Sequence, residues 1–130
     1  MRKFVFKKLV RDNIVDSMLA GNDNPTYHVL SDADYLTELQ NKIFEEAKEL
    51  TFNDAAEATK ELADLQEVLD NLAQTLGITT EDIKAAQRKK NDKAGSFKKR
   101  LYVDTVELAD DAEWVGYLSS HPDQYPEITP

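Results

Sequence analysis

The chain has 130 residues, 25 acidic and 16 basic, for a formal net charge of -9. That excess of negative charge argues against non-specific binding to nucleic acid or to an anionic membrane. Cysteine is absent, which excludes disulfides, zinc–thiolate centres and thiol catalysis. No apolar run approaches the roughly 20 residues needed to span a bilayer, and the start, Met1-Arg2-Lys3-Phe4-Val5-Phe6-Lys7-Lys8, lacks a sustained apolar signal region. The expectation is a soluble cytoplasmic protein with one domain large enough for a core.

Phe4 to Val10 reads as an extended segment or as the lead into a helix. Arg11 to Ala20 fits a short helix, with Val10, Ile14 and Met18 at four-residue spacing and Gly21 as its stop. Gly21-Asn22-Asp23-Asn24-Pro25 is a loop, and Thr26 to Leu30 has strand-like composition. Ser31 is an N-cap, with Asp34 three residues on. It opens a helix to about Leu50, whose seam is Leu36, Leu39, Ile43 and Leu50, widened by Phe44 and Ala47. The missing member of that 3-4-3-4 pattern is Glu46, a carboxylate where packing alone asks for Leu or Val.

Asn53 or Asp54 caps a second long helix to about Leu76. Its predicted seam is Ala58, Leu62, Leu65, Leu69, Leu72 and Leu76, flanked by Glu61 and Asp64, and Gly77 ends it. Thr79 or Thr80 starts a third, boxed by Asp82 and stopping before Gly95. Phe97 to Val103 mixes aromatic, basic and β-branched residues and reads as extended. The acidic stretch from Asp110 to Ser119 fits a short helix through Trp114, Val115 and Leu118, and His121 to Pro130 is a docked or loose tail. The fold class expected is all-α, a helix bundle with minor extended segments.

Two acidic pairs carry the chemistry. Glu46 and Glu49 share one helix face, as do Glu61 and Asp64, because residues three apart are neighbours on a helix. If the helices flank a turn near residues 51–54, they run antiparallel, and residues with equal index sums lie level. Glu46 with Asp64 and Glu49 with Glu61 meet that condition, so four carboxylates can face one another across one hairpin. Solvated helix faces also read this way. The interrupted seam and the matched spacing favour a site for a cation, and oxygen-only ligands suit Mg²⁺ or Mn²⁺ rather than Zn²⁺.

Seven of the 16 basic residues lie in Arg88, Lys89, Lys90, Lys93, Lys98, Lys99 and Arg100. A helix end with cations suits the helix dipole. Beside an acidic metal site, the same run suits a polyphosphate, since metal and cations together neutralise phosphate oxygens. No Walker-type glycine loop is present. His28 and His121 read as structural or surface residues and Trp114 as a packing residue.

These residues resemble the MazG-like nucleoside triphosphate pyrophosphohydrolases, in the branch labelled phosphoribosyl-ATP pyrophosphohydrolase-like. The family hallmark, Glu-Glu-x-x-Glu followed by Glu-x-x-Asp, is matched by Glu45, Glu46, Glu49, Glu61 and Asp64. Lys8-Leu9-Val10-Arg11-Asp12-Asn13-Ile14 resembles the branch's Lys-Leu-Val-Arg-Asp-Lys-Ile. Val29-Leu30-Ser31-Asp32 with Tyr35-Leu36 resembles its lead-in to the first long helix, and Lys90 to Arg100 resembles its Lys-rich Arg-Gly-Gly-Phe segment. Ala94 stands at the Arg of that segment and Ser96 at its second Gly, with Lys93 adjacent as a replacement contact. The match covers residues 7–107, which implies a domain over 1–107 and an acidic extension over 108–130.

The resemblance implies an all-α fold, homodimers or dimers of dimers, and Mg²⁺-dependent hydrolysis of a nucleoside triphosphate to monophosphate and pyrophosphate. On that reading Glu46, Glu49, Glu61 and Asp64 are metal ligands, and Glu45 and Glu49 are catalytic. Lys90, Lys93 and Arg100 hold the triphosphate, joined by Lys8 and Arg11, unless Arg11 pairs instead with Asp12 or another carboxylate. The alternatives are phosphoribosyl-ATP hydrolysis in histidine synthesis and a non-catalytic helical binding module.

Overall fold

The structure, a computed structural model, describes residues 1–129; Pro130, the end of the expected tail, lies outside the described residues. It is all-helical, with α1 (Ile14–Ala20), α2 (Asp32–Glu49), α3 (Ala55–Thr75), α4 (Thr80–Ala94) and α5 (Glu113–Ser119). The chain divides into two compact units, Met1–Lys93 and Ala94–Pro130. Among the described residues no helix is long and apolar enough to cross a membrane.

Local chemistry explains where the helices begin and end. The Ser31 hydroxyl accepts the Asp34 N–H at 3.2 Å and opens α2. The Asp54 carboxylate accepts the Ala56 N–H at 2.7 Å and opens α3. At α4 the box is reciprocal: Thr79 Oγ1 accepts from Asp82 N at 3.1 Å, and Thr79 N donates to Asp82 Oδ2 at 3.0 Å. Hydrogen bonding with Thr79, to its backbone N–H first and its side chain second, holds the Asp82 carboxyl below its ordinary range. Gly77 takes the left-handed conformation (φ 71) that a Schellman ending requires. Ile78 N then reaches Ala73 O at 2.8 Å, and Gly77 N reaches Gln74 O at 3.1 Å.

Residues 26–30 and 97–103 form no strand, nor do residues 4–10, read as extended or as the lead into a helix. Composition alone does not make a strand; each needs a neighbour to take its backbone hydrogen bonds. α1 is shorter than its predicted span because Asp12 and Asn13 form a turn, with Ile14 N bonded to Arg11 O at 3.1 Å.

In the first unit α2 and α3 pack together as a hairpin joined through residues 50–54. Among the described residues only Leu39 (2% exposed) and Glu46 (8% exposed) are buried, both on the α2 seam. The α3 seam differs from the predicted leucine pattern. Ala58, Glu61, Asp64, Leu65, Val68, Asn71, Leu72 and Ala73 are the partly covered positions, whereas Leu62, Leu69 and Leu76 are 55%, 40% and 53% exposed. The helix is therefore rotated so that Glu61 and Asp64 share the covered face instead of flanking it. Leu62, Leu69 and Leu76, seven residues apart, remain as a second, uncovered stripe. Phe44, expected to widen the α2 core face, is also exposed.

Candidate functional site

The hairpin brings a carboxylate from each long helix to one cleft in the first unit. Glu45 and Glu46 of α2 and Asp64 of α3 line it, with Lys42 one turn before them. The segment ahead of α1 closes another side with Phe6, Lys8, Val10 and Arg11, and Ile14 of α1 completes it. The cleft holds about 290 Å³, near the lower end of small-ligand sites.

Ion pairs connect these groups. Arg11 Nη2 donates to Asp64 Oδ1 at 2.8 Å, tying the N-terminal segment to α3. Lys8 Nζ lies 3.3 Å from Glu45 Oε1. Lys42 Nζ reaches Glu45 Oε1 at 3.1 Å and Glu46 Oε1 at 3.6 Å. Thus Arg11 both approaches the cleft and pairs with a carboxylate; the partner is Asp64, not its neighbour Asp12.

The two adjacent glutamates respond oppositely. Partial burial raises the Glu45 carboxyl, but hydrogen bonds and charge from Lys42 and Lys8 outweigh it and hold the group below its ordinary range. Burial pushes the Glu46 carboxyl up, and the charge of Glu49 adds to it; Lys42 opposes, while Asp64 and Glu45 push the same way. Glu46 therefore sits in a field from Glu49 and Asp64 that its lysine does not cancel.

Glu61 is engaged elsewhere. Its Oε2 accepts the Thr51 N–H at 2.6 Å and its Oε1 lies 3.4 Å from Thr51 Oγ1, holding the connection between α2 and α3. Among the described residues no three carboxylates or histidines converge closely enough to enclose a metal ion; the cations beside the acidic groups are Lys8, Arg11 and Lys42. The donor chemistry still fits a hard cation: every candidate ligand is a carboxylate, and Glu46 is nearly buried with its negative charge undercompensated.

Lys90 and Lys93 lie on α4, exposed, and do not line the cleft. Arg100 belongs to the second unit, where it takes a left-handed backbone (φ 57) and its N–H reaches Phe97 O at 3.1 Å. Lys42 is the site residue that the motif reading missed. Its signal was present in the sequence, since it precedes Glu45 and Glu46 by three and four residues on the same helix face. Comparison with family models, with curated proteins and with solved structures finds no match to this chain.

Proposed function

We propose that the chain is a cytoplasmic, MazG-like, Mg²⁺-dependent pyrophosphohydrolase that converts nucleoside triphosphates to monophosphates and pyrophosphate, clearing unwanted nucleotides from the pool. The observation that carries this reading is Glu46: a nearly buried carboxylate at a core position of α2, whose raised pKa reflects burial and the charges of Glu49 and Asp64. Lys42, 3.6 Å away, offsets only part of the cost of burying that charge, and a bound cation would offset more.

On this reading Glu46, Glu49, Glu61 and Asp64 would hold the ion. Bound Mg²⁺ supplies polarisation of a phosphate oxygen and a lowered pKa for water. Glu45, kept ionised by Lys42 and Lys8, accepts a hydrogen bond from the attacking water and fixes its direction. Lys8 and Arg11 offer cations to the phosphates at the cleft. Glu61 would give up its Thr51 partner to join that set.

The proposal includes a homodimer or a dimer of dimers. The accessible surface is 12349 Å², against roughly 8,000 Å² for two separate compact bodies of these sizes. The uncovered Leu62, Leu69 and Leu76 stripe is the kind of face a second copy covers.

The test is pyrophosphate release from a panel of canonical and modified nucleoside triphosphates, with Mg²⁺ and with chelator, alongside phosphoribosyl-ATP. Metal-dependent release from nucleoside triphosphates is the expected result. Release from phosphoribosyl-ATP alone assigns the chain to histidine synthesis, and no release from any substrate overturns the enzyme reading.

A further inference from the structure

The second unit contains an aromatic cleft of about 520 Å³ lined by Glu113, Trp114, Tyr117 and Tyr125, within the size range of small-ligand sites. Trp114 meets Tyr117 edge-on, with centroids 6.1 Å apart and planes at 86°. Tyr125 stands 6.0 Å from Tyr117 at 54°. Tyr117 is braced by the His121 ring at 4.5 Å, and His121 Nδ1 is fixed by the Tyr117 carbonyl at 2.8 Å. The rings are not consumed by packing: Trp114, Tyr117 and Tyr125 remain 63%, 48% and 45% exposed.

Three differently tilted, part-exposed rings line one space, and aromatic faces attract cations. Glu113 at the wall favours the same sign. Residues 101–130 carry seven carboxylates (Asp104, Glu107, Asp110, Asp111, Glu113, Asp123 and Glu127) and no lysine or arginine. A phosphate or carboxylate ligand is repelled there, and a neutral apolar ligand has no use for Glu113 at the wall.

We propose that the Trp114–Tyr117–Tyr125 cleft, with Glu113 as its counter-charge, is a binding site for a small organic ammonium cation, separate from the acidic cleft of the first unit. The alkylated nitrogen packs on the ring faces, which tolerate its weak hydration, and the Glu113 carboxylate balances its charge.

Trp114 is the only tryptophan in the chain, so its emission reports on this site directly. The full-length protein is titrated with choline and, in parallel, with 3,3-dimethyl-1-butanol, the neutral molecule of the same shape. Choline is expected to shift Trp114 emission saturably and to bind roughly tenfold more tightly than the alcohol. Tyr125→Leu, which keeps apolar bulk but removes the ring face, and Glu113→Gln are each expected to weaken choline about threefold or more while leaving the alcohol unchanged. Equal responses to choline and the alcohol, a response reproduced by sodium chloride at the same concentration, or unchanged choline binding in both variants overturns the proposal.

Discussion

Arg11 and Asp64, 53 positions apart in the chain, are joined by a 2.8 Å ion pair that fastens the N-terminal segment to α3. Their side chains are 61% and 47% exposed, so solvent screens the pair and its structural value is small. A double-mutant cycle with Arg11→Gln and Asp64→Asn, read by urea unfolding, is expected to give a coupling of about 0.5 kcal/mol, smaller still at high salt. The functional expectation is larger: Arg11→Gln raises KM for the triphosphate several-fold while kcat changes less, as removal of a phosphate contact should. A KM within error of the unmodified protein removes Arg11 from substrate binding.

Burial and neighbouring negative charge make the ionised form of Glu46 unfavourable in the fold. Its folded-state pKa is raised by burial and by Glu49, so its contribution is most favourable below the unfolded carboxylate pKa and is lost as pH rises through the folded value. Glu45 runs the other way. Despite partial burial its pKa is lowered by Lys42 and Lys8, so its stabilisation is present above the unfolded pKa and disappears as pH falls through the folded one. In chelator, Glu46→Gln should raise the thermal midpoint at neutral pH and remove the loss on going from acid to neutral. Mg²⁺ should raise the midpoint of the unmodified protein more than that of the variant. Equal Mg²⁺ effects on both proteins count against Glu46 as a ligand.

Glu49→Gln is expected to reduce turnover roughly 10²-fold or more, because on the proposed reading it removes a charged metal ligand. Far-UV circular dichroism should be unchanged, since Glu49 is exposed at the end of α2. Activity near that of the unmodified protein removes the residue from the site.

The α2 cap is expected to matter for stability more than for chemistry. Ser31→Ala deletes the acceptor of the Asp34 N–H and should cost about 1 kcal/mol in urea unfolding. A cost near zero means that water replaces the hydroxyl without penalty.

Leu69 is the centre of the uncovered stripe on α3. Leu69→Glu is expected to shift the protein to monomer in sedimentation at micromolar concentration, because a charge there opposes burial against a second copy. A monomeric unmodified protein, or an unchanged assembly in the variant, excludes that stripe as the contact.

Helix positions were legible in the sequence because the caps are local chemistry: Ser31, Asp54, the Thr79–Asp82 box and Gly77 each act within a few residues. The burial of Glu46 was legible for a related reason, since a gap in a 3-4-3-4 pattern marks the residue on the covered face. The rotation of α3 was not, because Leu62, Leu69 and Leu76 obey the same seven-residue spacing as Leu65 and Leu72. Two stripes of equal quality fit one helix, and contact with α2 decides between them. The Arg11–Asp64 pair was not readable either, as no periodicity links an irregular segment to a helix 53 positions later. Lys42 is readable by its spacing from Glu45 and Glu46, three and four residues on.

The 2.6 Å bond from the Thr51 amide to Glu61 makes the hairpin connection a timer as well as a link. While the bond stands, the Thr51 amide is shielded and its hydrogen exchanges slowly; if Glu61 turns to a metal ion, that shielding ends. A change of partner at Glu61 then carries a readable clock at a backbone position. Amide exchange at Thr51 should quicken on adding Mg²⁺ while the neighbouring turns of α2 and α3 slow.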